Sequence, residues 1–261
     1  MSELQAFILG LIQGLTEFLP VSSSGHLEII HALFGIENEN NLLVAVVLHS
    51  ATVLSTIIVF RKDIAALAKG FFGFKWDEPT RYVLMLLLSA VPVVILGLFF
   101  KDEIELFYSG RVQFVGAMLI VTAVLLFLAN FAKSGKKEAS FFKSLVIGVA
   151  QAFAVLPGIS RSGATIATGL LLGVDKKEMA KFSFLMVLIP IIGAVSLDLI
   201  SGEFTGNGNN IEALPLAIGF LTAFVSGLFA CKWMVDLVKK GKLIYFAIYC
   251  LIIGLITIFA S

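Results

Sequence analysis

The chain has 261 residues, 59 % hydrophobic and 14 % charged, with a formal net charge of +1 and a mean hydropathy of +1.00. These values exclude a soluble globular domain and describe an integral membrane protein. There is no basic patch for nucleic acid, and the two cysteines, Cys231 and Cys250, lie in apolar runs where they read as small buried hydrophobes and not as a disulfide or metal pair.

From the N-terminus, Met1-Ser2-Glu3 has no basic region before the first apolar run, so no signal peptide is expected. Residues 4–19 are helical in character but too short to cross a hydrocarbon core of about 30 Å at about 1.5 Å per residue. They meet Pro20 and three serines. This reads as one arm of a re-entrant pair over 4–33, its second arm opening near Ser23. Full spans are expected at 42–60, 82–100 (interrupted by Pro92) and 112–132. Between the first two lies a polar connector, Arg61 to Arg81, whose Phe71, Phe72, Phe74 and Trp76 suit a membrane interface. A second re-entrant pair is expected at 144–174, turning at Pro157. Spans follow at 182–200 (containing Pro190), 215–231 and 243–260, with a Gly/Asn-rich loop over 201–213.

Basic residues fix the orientation. With the Arg61–Arg81 connector in the cytoplasm, the alternating links collect 16 of the 19 Lys and Arg on that side; Lys101 and Arg111 fall outside, and Arg161 lies in a loop. The first re-entrant pair must then enter from outside and the second from inside, with both termini outside. Each pair precedes three spans. The expected fold is therefore an all-α membrane protein with six full transmembrane helices and two re-entrant helix pairs, in two inverted-topology repeats, 1–132 and 133–261, that form a single membrane domain. Inverted repeats with broken helices place a binding site where the breaks meet.

The breaks carry the chemistry. Leu156-Pro157-Gly158-Ile159-Ser160-Arg161-Ser162-Gly163-Ala164-Thr165 holds an arginine and three hydroxyls within an apolar region. A charge at bilayer depth costs roughly 2.5–3.5 kcal/mol on insertion scales, and irregular backbone survives there only inside protein or beside a wet cavity. The stretch has the parts of an anion cradle: a guanidinium fork, hydroxyl donors and backbone N–H groups opening a helix. Gly158 and Gly163 allow close approach of the backbone. Thr165 can instead bond back to its own helix. Leu19-Pro20-Val21-Ser22-Ser23-Ser24-Gly25-His26 echoes this loop, and Gly10-Leu11-Ile12-Gln13 echoes Gly148-Val149-Ala150-Gln151, at an offset of 138.

Gln13 and Glu17, four apart, share one helix face leading into the serine loop. A lone carboxylate there needs a cation: Glu17 can ligate Mg²⁺ or Ca²⁺ beside phosphate oxygens, act as a general base, or form a plain ion pair with Arg161. Gln13 can equally satisfy backbone groups. His26 is a candidate nucleophile or general acid–base, Ser22 and Ser23 are phosphate ligands or alternative nucleophiles, and Ser24 is a further substrate-binding hydroxyl. His49 reads as a supporting or structural residue, His31 as interfacial and Asp198 as an exposed carboxylate. No Walker loop, HExxH or paired-cysteine metal motif is present.

Gln13-x-x-x-Glu17, the Ser22–His26 run and Pro157-Gly158-x-Ser160-Arg161-Ser162-x-x-Thr165 together resemble the bacterial undecaprenyl-diphosphate phosphatase family associated with bacitracin resistance. The second motif matches in full; the first position of the other, often Glu in that family, is Gln13 here. The resemblance spans essentially the whole chain. It implies a divalent-cation-dependent phosphatase of the bacterial cytoplasmic membrane that makes undecaprenyl phosphate for peptidoglycan synthesis. It implies Glu17 as the acidic residue, His26 as the catalytic histidine, Ser23 as a loop hydroxyl in catalysis, and Ser160, Arg161 and Thr165 as diphosphate contacts. The site is expected to open to the outer side, with a polyprenyl diphosphate as substrate and the bilayer as surroundings. The attacking group is His26, Ser23, or water activated by His26 and Glu17. The competing class is a secondary transporter or flippase for a lipid phosphate or small anion, which shares the repeat pattern. Gly97, Gly116 and Gly254 are small residues that can pack helices within the chain or in a homodimer.

Overall fold

The structure is a computed structural model and describes residues 1–35, 41–100, 103–104, 106–108, 111–132, 135, 139–201 and 212–260; side chains at 41–42, 195, 197–201 and 239, Asp198 among them, lie outside that description. It is all-helical. In chain order the helices are α1 (Glu3–Thr16), α2 (Ser23–Phe34), α3 (Asn41–Val59), α4 (Arg61–Phe71), α5 (Glu78–Phe99), a 3-10 turn (Leu106–Tyr108), α6 (Val112–Asn130), α7 (Phe141–Phe153), α8 (Arg161–Leu171), α9 (Lys176–Met186), α10 (Leu188–Ser201), α11 (Ala213–Lys239) and α12 (Ile244–Ala260).

Local chemistry sets many of the boundaries. Ser2 opens α1 in a reciprocal capping box with Gln5, and Ser140 opens α7 by accepting the Lys143 N–H. Asp77 opens α5, accepting the Thr80 N–H, a bond that holds its carboxyl below the usual range; Pro79 stands in the first turn. Gly35 closes α2 at φ 60°.

Helices α5, α6 and α11 are long and apolar enough to cross a membrane, and α3 with α4 makes a fourth candidate bent by 77°. The surface is apolar and the interior partly polar: Phe99, Phe229 and Phe259 are exposed, whereas Gln13, Ser55, Ser89, Thr122, Ser144, Thr165 and Ser183 are fully buried. This inside-out distribution fits a lipid solvent, in which polar side chains are satisfied within the bundle.

Several elements differ from expectation. The connector 61–81 is not plain link: it contains α4, amphipathic and turned away from α3. Its Asp63 pairs with Lys181 of α9 at 2.6 Å, and the Lys181 ammonium sits over the Tyr82 ring of α5. The span expected over 182–200 is broken at Val187 into α9 and α10. Pro190 explains the break, since its ring clashes with the carbonyl four residues back, at Met186. The span expected to end at 231 continues to Lys239, and α12 has 17 residues. His31, expected at the interface, is buried on α2.

Helix α1 packs chiefly on α11, α7 on α5, and α12 on α6. A Cβ on Gly10 would meet the Gly219 carbonyl at 2.4 Å, and one on Gly148, 138 residues later, the Ser89 carbonyl, also at 2.4 Å. Gly116 and Gly254 face each other across α6 and α12, so they pack helices within the chain, whereas Gly97 faces open space. Both cysteines are free and buried, as the sequence suggests.

Candidate functional site

The α1–α2 and α7–α8 turns meet inside the bundle and cross-link. The Ser22 hydroxyl reaches the Ile159 carbonyl at 3.4 Å, and the Ser162 hydroxyl donates to the Leu19 carbonyl at 3.1 Å. Gly25 lies against Gly158, where an added Cβ would approach the Cα to 2.9 Å. The two turns are built alike. Ser22 caps α2 by accepting the Gly25 N–H, and Ser160 caps α8 by accepting the Gly163 N–H. In each, the capping serine sits near the hydroxyl two residues on, Ser24 or Ser162, at 3.4 and 3.3 Å.

Glu17, the C-cap of α1, is the hub. Its Oε2 accepts from Gln13 Nε2 at 3.0 Å and Ser23 Oγ at 2.6 Å, and its Oε1 accepts from Arg161 Nη2. His49 Nε2 lies 3.8 Å from Oε2, with Nδ1 donating to the Ala45 carbonyl. Arg161 is the first residue of α8, so the loop projects its guanidinium towards α1. Glu17 is buried, and two polar atoms beside it have no partner among the described residues: Arg161 Nη1 and Gln13 Oε1. An unpartnered buried donor is costly. An anion at Nη1 would remove that cost while Nη2 stays on Glu17.

The other expected site residues divide. Gln13, Glu17, Ser23 and Arg161 come together. His26 does not join them by hydrogen bonds: Nδ1 bonds the Ser22 carbonyl at 2.7 Å and Nε2 the Tyr249 hydroxyl of α12 at 2.8 Å. Thr165 bonds the Arg161 carbonyl of its own helix and the Ser183 hydroxyl of α9. Gly158, at φ 97°, also lies where α6 approaches: a Cβ there would meet the Val115 carbonyl of α6 at 2.4 Å. Ser160 caps α8 and its N–H donates to Thr122 Oγ1 at 2.9 Å. Ser22 itself adopts φ 69°, a strained conformation for a non-glycine residue. Sequence reasoning gave no site role to Tyr249 or Thr122 and only a supporting one to His49. Each sits in an apolar span with no local motif around it.

Hard-oxygen donors for a cation are the Glu17 carboxylate and Gln13 Oε1. Among the described residues no three His, Cys, Asp or Glu side chains gather into a metal site. A divalent ion here would therefore complete its shell with phosphate oxygens and water, as Mg²⁺ does at phosphoryl-transfer sites.

The family described as Bacitracin resistance protein BacA matches residues 6–256. The chain belongs to the BacA family. Among its relatives, an undecaprenyl-diphosphatase of Bacteroides fragilis is 54 % identical over 98 % of this chain and 97 % of its own length. One of Parabacteroides distasonis is also 54 % identical, covering 99 % and 98 %. One of Methanobrevibacter smithii is 36 % identical over all of this chain and 98 % of its own. The Glu17–Arg161 pair of this BacA chain therefore lies in a fold shared over nearly the full length of proteins bearing that enzyme's name.

Proposed function

We infer that this chain hydrolyses undecaprenyl diphosphate to undecaprenyl phosphate and phosphate, acting as an integral membrane phosphatase in the recycling of the cell-wall lipid carrier. The observation that carries this reading is the Arg161–Glu17–Ser23 set around the buried carboxylate: a hydroxyl on a carboxylate at 2.6 Å, beside a part-buried guanidinium with one buried nitrogen that has no partner among the described residues. That is a nucleophile and base next to an anion clamp. The relatives' names and the family match support the same substrate.

In the mechanism we propose, Arg161 Nη1 and the N–H groups opening α8 hold the diphosphate. Ser23 Oγ attacks the terminal phosphorus as its proton passes to Glu17. The anhydride P–O bond breaks and undecaprenyl phosphate leaves with that proton. Water, deprotonated by Glu17, then cleaves the phosphoserine, releasing phosphate and restoring the Ser23 hydroxyl. His26 has both ring nitrogens bonded to protein groups, which favours Ser23 over it as the attacking group. Glu17 and Gln13 Oε1 would hold Mg²⁺ or Ca²⁺, which supplies charge neutralisation on the phosphate oxygens.

The proposed architecture is six spans with two re-entrant pairs in inverted repeats and an outward-facing site. It is supported by correspondences at an offset of 138: Ser2 with Ser140 and Ser22 with Ser160 as helix caps, and Gln13 with Gln151 as buried amides. Such repeats also suit a transporter. Phosphate release in detergent, where no compartments exist, separates the two. Purified protein is expected to release phosphate from a long-chain polyprenyl diphosphate with Mg²⁺ or Ca²⁺, and Arg161→Ala to lose that release. No release from folded wild-type protein would overturn the reading.

A further inference from the structure

Tyr249 belongs to the last helix, far in sequence from either turn, yet it closes a chain of contacts that ends on Ser23. Its hydroxyl lies 2.8 Å from His26 Nε2, with the two rings nearly parallel at 7°. On the other side of the imidazole, Nδ1 lies 2.7 Å from the Ser22 carbonyl. A carbonyl only accepts, so Nδ1 carries the proton; in a neutral ring Nε2 is then the acceptor and the tyrosine O–H the donor. The same carbonyl also accepts the His26 backbone N–H at 3.1 Å. It belongs to the residue at φ 69° that immediately precedes Ser23. The next residue of α12 grips the turn from its other end: the Cys250 thiol lies 3.6 Å from the Pro20 carbonyl.

We propose that Tyr249 is a positioning residue for the reaction. Its hydroxyl fixes His26 as the Nδ1–H tautomer, and His26, through the Ser22 carbonyl, holds the strained turn that keeps Ser23 Oγ on Glu17. The role given to Ser23 rests on the phosphatase reading above; the Tyr249–His26 bond does not. Two bonds converging on one carbonyl help to hold the strained Ser22 conformation. Without the tyrosine hydroxyl the imidazole is free to rotate or change tautomer, and Ser23 loses its fixed approach.

The test is Tyr249→Phe, which keeps the ring and removes only the hydroxyl, in purified full-length protein in detergent. Two readouts are taken. Phosphate release from a long-chain polyprenyl diphosphate is expected to show kcat lowered about five- to tenfold, the effect of one neutral hydrogen bond, with KM little changed because the Arg161 clamp is untouched. Nitrogen-15 NMR of histidine-labelled protein, with the His26 signals assigned through His26→Gln, is expected to show Nε2 moving towards the value of an unbonded lone pair. An unmoved His26 signal overturns the proposal whatever the rate does, because any kinetic effect then runs by another route. A moved signal with unchanged kcat also overturns it, since the contact then exists without positioning anything. Inactive wild-type protein would instead overturn the phosphatase reading, while the NMR readout would still decide whether Tyr249 sets the state of His26.

Discussion

At the scale of single residues, Arg161 does two jobs at once. Nη2 neutralises Glu17 inside the bundle, and Nη1, without a partner among the described residues, is the atom that the proposed mechanism gives to a phosphate oxygen. A planar fork can serve both partners; an ammonium is a point charge that must divide itself between them. Arg161→Lys is therefore expected to lower kcat/KM by roughly a hundredfold, the scale of about 3 kcal/mol of lost charge stabilisation, with helix content by circular dichroism unchanged. A variant with near-wild-type kcat/KM would show that the fork geometry is not used. Ser23→Ala separates the two chemistries open to Glu17. A serine nucleophile predicts activity lost to background, whereas water activated by Glu17 predicts substantial residual turnover. The sequence exposed these residues because a charge and several hydroxyls in an apolar stretch demand a partner. It gave His49 only a supporting role and Tyr249 none, because each reaches its partner across the bundle and neither has a motif of its own.

At the scale of elements, the turns are held by how closely helices approach. Gly14 of α1 sits where a Cβ would fall 2.0 Å from Ser226 Oγ and 2.5 Å from the Ala223 carbonyl of α11. Glu17 lies one turn further along the same helix. Gly14→Ala must push α1 away from α11, and it is expected to destabilise the protein by roughly 1–3 kcal/mol and to lower activity by displacing Glu17. Gly97→Ala is the control: nothing lies within 4 Å of that Cβ, and alanine in a helix is favoured over glycine by up to about 1 kcal/mol. Thermal unfolding in detergent should lower the midpoint for the first variant and hold or raise it for the second; equal midpoints would contradict the packing. Elements were legible in the sequence where apolar length decides them, as with α6, expected over 112–132 and found at Val112–Asn130. Features decided by tertiary geometry were not. The sequence shows Gly158 as a place for close backbone approach but not that α6 packs against it. Pro190 was visible inside an apolar run, but only the broken helix shows that the run divides at Val187.

At the scale of the whole molecule, orientation follows from charge. The two turns meet and bond each other, and on the proposed topology the α1–α2 and α7–α8 arms reach that common depth from opposite sides of the membrane. If the halves are inverted, one pair enters from each side, and the links with most of the Lys and Arg share the cytoplasmic face. The connector after α3 is then inside: Phe74 in it is 88 % exposed, and Asp63 of α4 binds Lys181 of α9, tying two basic links to one face. On the same reading the start of α1 lies outside. Both native cysteines are buried, so a single introduced cysteine reports its own position against a low background. In intact cells a membrane-impermeant maleimide is expected to label Glu3→Cys and to spare Phe74→Cys until the membrane is permeabilised. The reverse pattern would turn the molecule over and overturn the proposed outward opening of the site. Labelling of both positions in intact cells would put the connector on the same side as the N-terminus, and the inverted arrangement of the halves would fall with it.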